Sequence, residues 1–279
     1  MFELIYHDTQ DNEIFAQYGE KTVREDYYRV KNNIFCIADG VTRDYIDGTS
    51  AKYPKNEEEV KEWVKKYPCP SGAYEAAKII ADSFVKHISN EKNPDKVDIL
   101  EILKKINQEV WKINKHRKID YLKEDYYCAV AVGGIIEKNI LYAFSIGDCH
   151  ITLLDEQYNI IFTTINNHKT FENYIENVYS KENNYNWEEE KTRIMVRRDF
   201  RNKPEEKKSF GVISGEKESL KYIDTYKISL DKAKYICAYS DGCEPDFENK
   251  DAIKRIIKNT KEQMKKGKEK TLIIYEKRG

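Results

Sequence analysis

No apolar run in this chain is long enough to cross a membrane: the longest weakly polar stretch reaches only from Cys128 to Ile136, whereas a spanning helix needs about 20 such residues. The first residues, MFELIYHDTQDNEIF, lack the basic start and apolar core of a secretion signal, so a cytoplasmic location is expected and no membrane partner. Neither sign of charge is in excess. Forty-eight Lys+Arg against 49 Asp+Glu leave a net charge of −1, which excludes the broad basic surface of a non-specific nucleic-acid binder. Trp63, Trp111 and Trp187 have no stacking-platform spacing, so no nucleic-acid partner is expected. The six cysteines (Cys36, Cys69, Cys128, Cys149, Cys237, Cys243) contain no CxxC and read as buried, reduced thiols. Also missing are HExxH, the GxSxG elbow, the P-loop and a strand–GxGxxG–helix fingerprint, which removes the commonest zinc, acyl-transfer and nucleotide chemistries.

What remains is a folding chain. Charged residues make up 35%, but 21 Tyr and 10 Phe among regular apolar runs exceed what a disordered chain carries. FELIY, EIFAQY, YYRV and NIFCIA read as short antiparallel strands. A polar stretch at about 42–70 reads as an insertion, with Val60, Trp63, Val64 and Tyr67 at helical spacing. Ser71 to Asn90 reads as a helix capped by Ser71, with Tyr74, Ala77, Ile80, Ala81, Phe84, Val85 and Ile88 on one face. Asp95 to Arg117 reads as a second helix, with Asp95 available as cap and Ile99, Leu100, Ile102, Leu103, Ile106, Val110, Trp111 and Ile113 as its stripe. YYCAVAVGGII, NILYAFSIG, HITLLD and NIIFTT then suggest a strand meander. The polar stretch from 169 to 208 exceeds an ordinary connection, and YKISL, KYICAYS, a helix around 251–266 and TLIIYE close the chain. The class is α+β, in one domain spanning 1–279. No heptad seam is visible, and a monomer is expected.

Three carboxylates share one context, an apolar strand running into an acid beside a glycine: Asp39-Gly40, Gly147-Asp148 and Asp241-Gly242. Each alone is an ordinary turn. If the strands are neighbours, however, their ends crowd carboxylates together, and such a group needs protons or cations to offset its repulsion. Glu25-Asp26, just before YYRV, is a fourth acidic element. Oxygen donors favour a hard ion, Mg²⁺ or Mn²⁺, and the five histidines show no paired spacing that would suggest zinc. Two such ions bridged by a carboxylate are machinery for hydrolysing phosphate esters.

In order and context these motifs resemble the metal-dependent serine/threonine protein phosphatases of type 2C, the PPM family. The resemblance implies two antiparallel sheets packed as a sandwich with helices on the outer faces, a four-layer αββα arrangement. Gly19 to Asp26 is similar to the family's opening segment, which gives Lys21 the role of phosphate binder and places Glu25 and Asp26 near the metals. IFCIADGVT resembles the segment whose Asp bridges two ions and whose Gly carbonyl binds one, here Asp39 and Gly40. Asp148 matches the position of a third, weaker metal site, Asn167-His168 stands where the family reads Asp-His, and ICAYSDG brings Asp241 as the second metal-binding acid. The 169–208 stretch falls where the family carries a variable flap. In two places the chain departs from the pattern. Lys268 occupies the position of an expected metal-binding Asp, with Glu269 as a substitute one residue along, and Val41 stands where many members have His. The resemblance implies hydrolysis of phosphoserine and phosphothreonine in a phosphorylated protein substrate, by a metal-activated water at a two-ion Mn²⁺ or Mg²⁺ centre with a possible third ion. The alternative, motivated by Lys268, is a catalytically impaired relative that binds a phosphorylated partner.

Overall fold

The computed structural model describes residues 1–11, 24–41, 45–46, 49–50, 56–91, 97–119, 124–175, 177, 199–206, 208–265 and 268–278. The EIFAQY strand, Lys21, Asp95 and most of the 169–208 stretch therefore lie outside the described residues.

Two five-stranded antiparallel sheets face each other. The first has the order β1 (Phe2–Gln10), β12 (Lys270–Lys277), β11 (Tyr235–Tyr239), β8 (His150–Leu154), β9 (Ile160–Thr163). The second runs β10 (Asp224–Ser229), β7 (Ile140–Ile146), β6 (Ala129–Glu137), β3 (Ile34–Gly40), β2 (Asp26–Lys31). A two-stranded pair, β4 (Tyr45–Ile46) and β5 (Thr49–Ser50), stands apart from both. The first strand of the chain pairs with the last, Phe2 opposite Lys277.

Strand alternation builds the layers. Along β3, Phe35 and Ile37 point between the sheets, where they meet Val130 and Val132 of β6, Ile151 and Leu153 of β8, Ile236 of β11 and Ile273 of β12. Cys36 and Ala38 point the other way, onto α2 (Gly72–Asn90) and α3 (Ile99–Asn114), where Ile80, Phe84, Leu103 and Ile106 cover them. The opposite face of the first sheet carries Cys237, Tyr239, Leu272 and Ile274, covered by Phe247, Ile253, Ile256 and Met264 of the 241–264 segment. The result is helix, sheet, sheet, helix. Because both faces of β3 are covered, it reads as a continuous apolar run, and each fully buried large side chain contributes about 1.5–3 kcal/mol.

The Ser71 cap is present, its Oγ accepting from the Tyr74 N–H at 3.0 Å. The second helix starts later than its pattern suggested, because Asp98 caps it, Oδ1 accepting from the Glu101 N–H at 3.0 Å. Leu100 and Trp111, each 39% exposed, fall off its buried stripe. The polar stretch holds α1 (Glu57–Lys66), with Val60 and Val64 buried. The closing helix is broken at Asn259 into α5 (Lys250–Lys258) and α6 (Thr260–Gln263). Five of the six cysteines are buried and Cys69 is exposed. Among the described residues no helix is long and apolar enough to cross a membrane.

The expected meander does not form. β6 and β7 pair in the second sheet and β8 and β9 in the first, so the chain changes sheets at Gly147-Asp148. Gly147 makes that corner at φ +84°, and a Cβ there would lie 2.2 Å from Val130 Cγ1. Gly147→Ala should therefore lose about 2–4 kcal/mol, combining left-handed strain with overpacking. Urea unfolding checks this; a loss below about 0.5 kcal/mol would mean the corner relaxes freely.

Candidate active site at one end of the sandwich

The face that buries Phe35 and Ile37 ends in Asp39, so alternation aims this carboxylate between the sheets at one end of the sandwich. Asp26 is its register partner across the β2–β3 ladder, so the two carboxyl groups stand side by side at this end of the sandwich. Like charges opposite each other in a ladder are destabilising. Two hydroxyls from the side of the first sheet compensate, and a third backs one of them. Ser240 Oγ and Thr271 Oγ1 each donate to Asp26 Oδ2 at 2.7 Å, the Thr271 N–H donates to Ser240 Oγ at 2.9 Å, and Thr9 Oγ1 lies 2.9 Å from Thr271 Oγ1. A β-bulge between Leu4 and Tyr6 turns Thr9 to this face. Asp26, only 2% exposed, is thus clasped by the opposite sheet.

Glu269 follows the same alternation. It stands two residues before Thr271, and its Oε1 accepts from the N–H groups of Glu25 (2.7 Å) and Asp26 (2.8 Å). The Glu25 side chain takes a hydrogen bond from the hydroxyl of Tyr67, which brings the inserted segment to the site. Gly40 donates its N–H to the Glu25 carbonyl at 3.2 Å and leaves no room for a side chain, since a Cβ would sit 2.7 Å from Ala73 Cβ. Gly242 is packed as tightly, a Cβ there falling 2.1 Å from the Glu269 carbonyl oxygen. Asp241, beside it, meets solvent at the rim.

Asp148 stands on the sheet-changing corner. His168 Nδ1 is 3.1 Å from its Oδ2, while its Oδ1 is buried without a hydrogen-bond partner. His168 opens α4 (His168–Tyr174) and sets its ring edge-on to Phe210. Nearby, His150 Nε2 lies 2.9 Å from Glu244 Oε1.

The electrostatics show crowding. Burial, then Asp26, Asp241, Asp148 and Glu269, push the Asp39 carboxyl well above its ordinary range. Burial and then Asp26 do the same to Glu269. Asp26 is raised by burial although the Ser240 and Thr271 hydroxyls, by stabilising its charged form, pull the other way. Protein packed around Asp241, then Asp148 and Asp26, push it up to about 7, with Lys268 pulling the other way. For Asp148 burial is outweighed by the His168 imidazole, and its pKa falls. The Cys243 thiol is buried, bonds to the Thr271 carbonyl and is raised well above its usual value, which makes it inert packing rather than a redox sensor.

Asp26, Asp39, Asp148, Asp241 and Glu269 are thus mutually interacting, with Glu25 alongside; Lys21 lies outside the described residues. Among the described residues no three His, Cys, Asp or Glu side chains already form a ligand cage. The donor set nonetheless fits a hard cation: all oxygen, net negative, with the buried Asp148 Oδ1 lacking a partner. Sequence reasoning missed the Ser240–Thr271–Thr9 clasp and the Tyr67 contact. For Ser240 and Thr271 a signal existed, since continuing the β11 and β12 alternation puts both on the inner face with Ile236, Ala238, Ile273 and Tyr275.

The sequence pattern of the family described as Protein phosphatase 2C matches residues 69–273, so Glu25 to Gly40 precede the match. No curated protein matches the chain. Among solved structures the chain is similar to a bacterial serine phosphatase (TM-score 0.61, 12% identity, covering 100% of this chain and 98% of that one). It is also similar to the serine/threonine phosphatase Stp1 from Staphylococcus aureus (0.59, 12%, 100% and 96%) and to the Mycobacterium tuberculosis serine/threonine phosphatase PstP/Ppp (0.55, 11%, 100% and 99%). At these identities the likeness is one of fold.

The crowding sets a pH dependence. A carboxyl whose folded pKa is raised stabilises the native state in its protonated form. Asp241's contribution is complete below about pH 4 and is lost as the pH rises through about 7. In EDTA the melting temperature should fall between pH 5 and pH 8, and both Asp241→Asn and Asp39→Asn should flatten that fall. Calorimetry that finds the same slope in all three proteins contradicts the crowding.

Proposed function

From the premise that the chain belongs to the protein phosphatase 2C family, we propose that it hydrolyses phosphoserine and phosphothreonine esters in proteins at the Asp39–Asp241 end of the sandwich. The observation that carries this reading is the set of mutually repelling carboxylates gathered there from both sheets. Carboxylates held together at such cost to the fold suit a site that works with a cation.

Asp39, the Gly40 carbonyl and Asp241 would hold Mn²⁺ or Mg²⁺, with Asp148 at a neighbouring position. Bound there, the ion supplies Lewis-acid activation of water and stabilises charge developing on the phosphoryl group. The chain's own residues do the rest. Lys21 grips the phosphate dianion, and Glu25 and Asp26 orient the attacking water. Their positions are maintained by Tyr67, Ser240, Thr271 and the Glu269 carboxyl. Water adds to phosphorus, the ester P–O bond breaks, and inorganic phosphate leaves. With Val41 after Asp39-Gly40, the departing serine or threonine oxygen takes its proton from solvent. We read the chain as one domain, acting as a monomer in the cytoplasm.

Lys268 favours a second reading, a protein that binds phosphorylated partners without turning them over. One experiment separates the two: phosphate release from phosphoserine and phosphothreonine peptides with Mn²⁺, Mg²⁺ or EDTA, beside Asp39→Ala and Asp241→Ala. The hydrolytic reading expects metal-dependent release that falls at least about a hundredfold in each variant. Peptide binding with no release at saturating Mn²⁺ would establish the binding-only protein instead.

A further inference from the structure

Antiparallel register carries the β11–β12 ladder past its last strand pair. Tyr239 faces Leu272, Ser240 and Thr271 exchange backbone and side-chain hydrogen bonds, and Gly242 packs against the Glu269 carbonyl. Asp241 therefore lies beside the segment Lys268–Lys270. In that segment alternation sorts the side chains. Glu269 points inward with Thr271, and its Oε1 is committed to two backbone N–H groups, of Glu25 at 2.7 Å and Asp26 at 2.8 Å. Lys270 points outward and pairs with Asp246 Oδ2 at 3.2 Å. Lys268 stands exposed at the rim, two residues before the Lys270 that the extended register sets opposite Asp241, and its charge acts on Asp241. Toward Asp241, then, this segment presents the Lys268 ammonium, while its one carboxylate, Glu269, is engaged by backbone N–H groups.

Resting on the phosphatase reading above, we propose that the centre takes one divalent cation per chain, with the Lys268 ammonium balancing Asp241 in place of a second ion. Glu269 is a positioning residue: it fixes the Glu25–Asp26 backbone as a hydrogen-bond acceptor and ligates no metal. A fixed ammonium offsets the charge of a neighbouring carboxylate without needing ligands of its own. A second divalent ion beside Asp241 would meet that ammonium's repulsion, and the one acid of Lys268–Lys270, Glu269, is turned inward and held by the Glu25 and Asp26 N–H groups.

The test is calorimetric titration of Mn²⁺ into EDTA-stripped wild type, Lys268→Asp, Lys268→Gln, Glu269→Gln and Glu269→Ala, with phosphate release measured on the same samples. Wild type should bind one Mn²⁺ per chain and Lys268→Asp two. Lys268→Gln, a milder change, should bind Mn²⁺ more tightly than wild type. Glu269→Gln keeps the acceptor oxygen, so its stoichiometry should be unchanged and its turnover within about threefold of wild type, whereas Glu269→Ala should lose about 10–100-fold. Rescue by Gln separates positioning from ligation, because an amide cannot replace a carboxylate ligand at full affinity. Two ions in wild type with metal-dependent phosphate release would overturn this proposal and leave the phosphatase reading standing, as would loss of Mn²⁺ binding in Glu269→Gln. No Mn²⁺ bound and no phosphate released would overturn both.

Discussion

Two carboxylates facing each other across one strand pair, Asp26 and Asp39, set the terms for everything around them. Neither can carry a full charge so close to the other unless something positive or protic intervenes. The protein answers locally with hydroxyls: Ser240 and Thr271 reach over from the opposite sheet to the same oxygen of Asp26. The compensation is partial, because burial still raises both acids, and Asp39 has no comparable clasp among the described contacts. The unrelieved part of the repulsion makes this end of the sandwich a place for a cation.

The same clasp joins fold and site. Asp26 belongs to the second sheet, and Ser240, Thr271 and Thr9 belong to or directly follow strands of the first, so the bonds that tame the acid also hold the two sheets in register where the core runs out of apolar side chains. The glycines follow from close approach. Gly40 gives way to the start of α2, and Gly242 to the backbone leading into β12. A substitution at either would spread the walls of the site, whatever it did to the local backbone.

Much of this was legible beforehand. Strands with both faces covered appear as unbroken apolar runs, and the acids that end them stand out for that reason, as at IFCIA-Asp39 and KYICAYS-Asp241. The Ser71 cap and the α2 stripe were equally plain. Connectivity was less so. Hydrophobic patterning reports what a strand buries but not which sheet it joins, so the change of sheets at Gly147 was hidden inside an apparent meander. Asp95 and Asp98 both suit a helix cap by residue type, and only the geometry selects Asp98. The hydroxyl clasp and the grip of Glu269 on two backbone amides depend on residues some 210 to 260 positions apart, which no local pattern can pair. Lys268 was visible as a departure, but that its segment runs beside Asp241 emerged only from the register of β11 and β12.

The central claim is that the carboxylates of Asp39 and its neighbours form a cation-dependent hydrolytic centre. The most direct test is diffraction at the manganese edge from crystals grown with Mn²⁺, on protein shown to release phosphate in the same buffer. The account predicts an anomalous peak beside the Asp39 carboxylate. Active protein whose crystals show no manganese near Asp39 would contradict it.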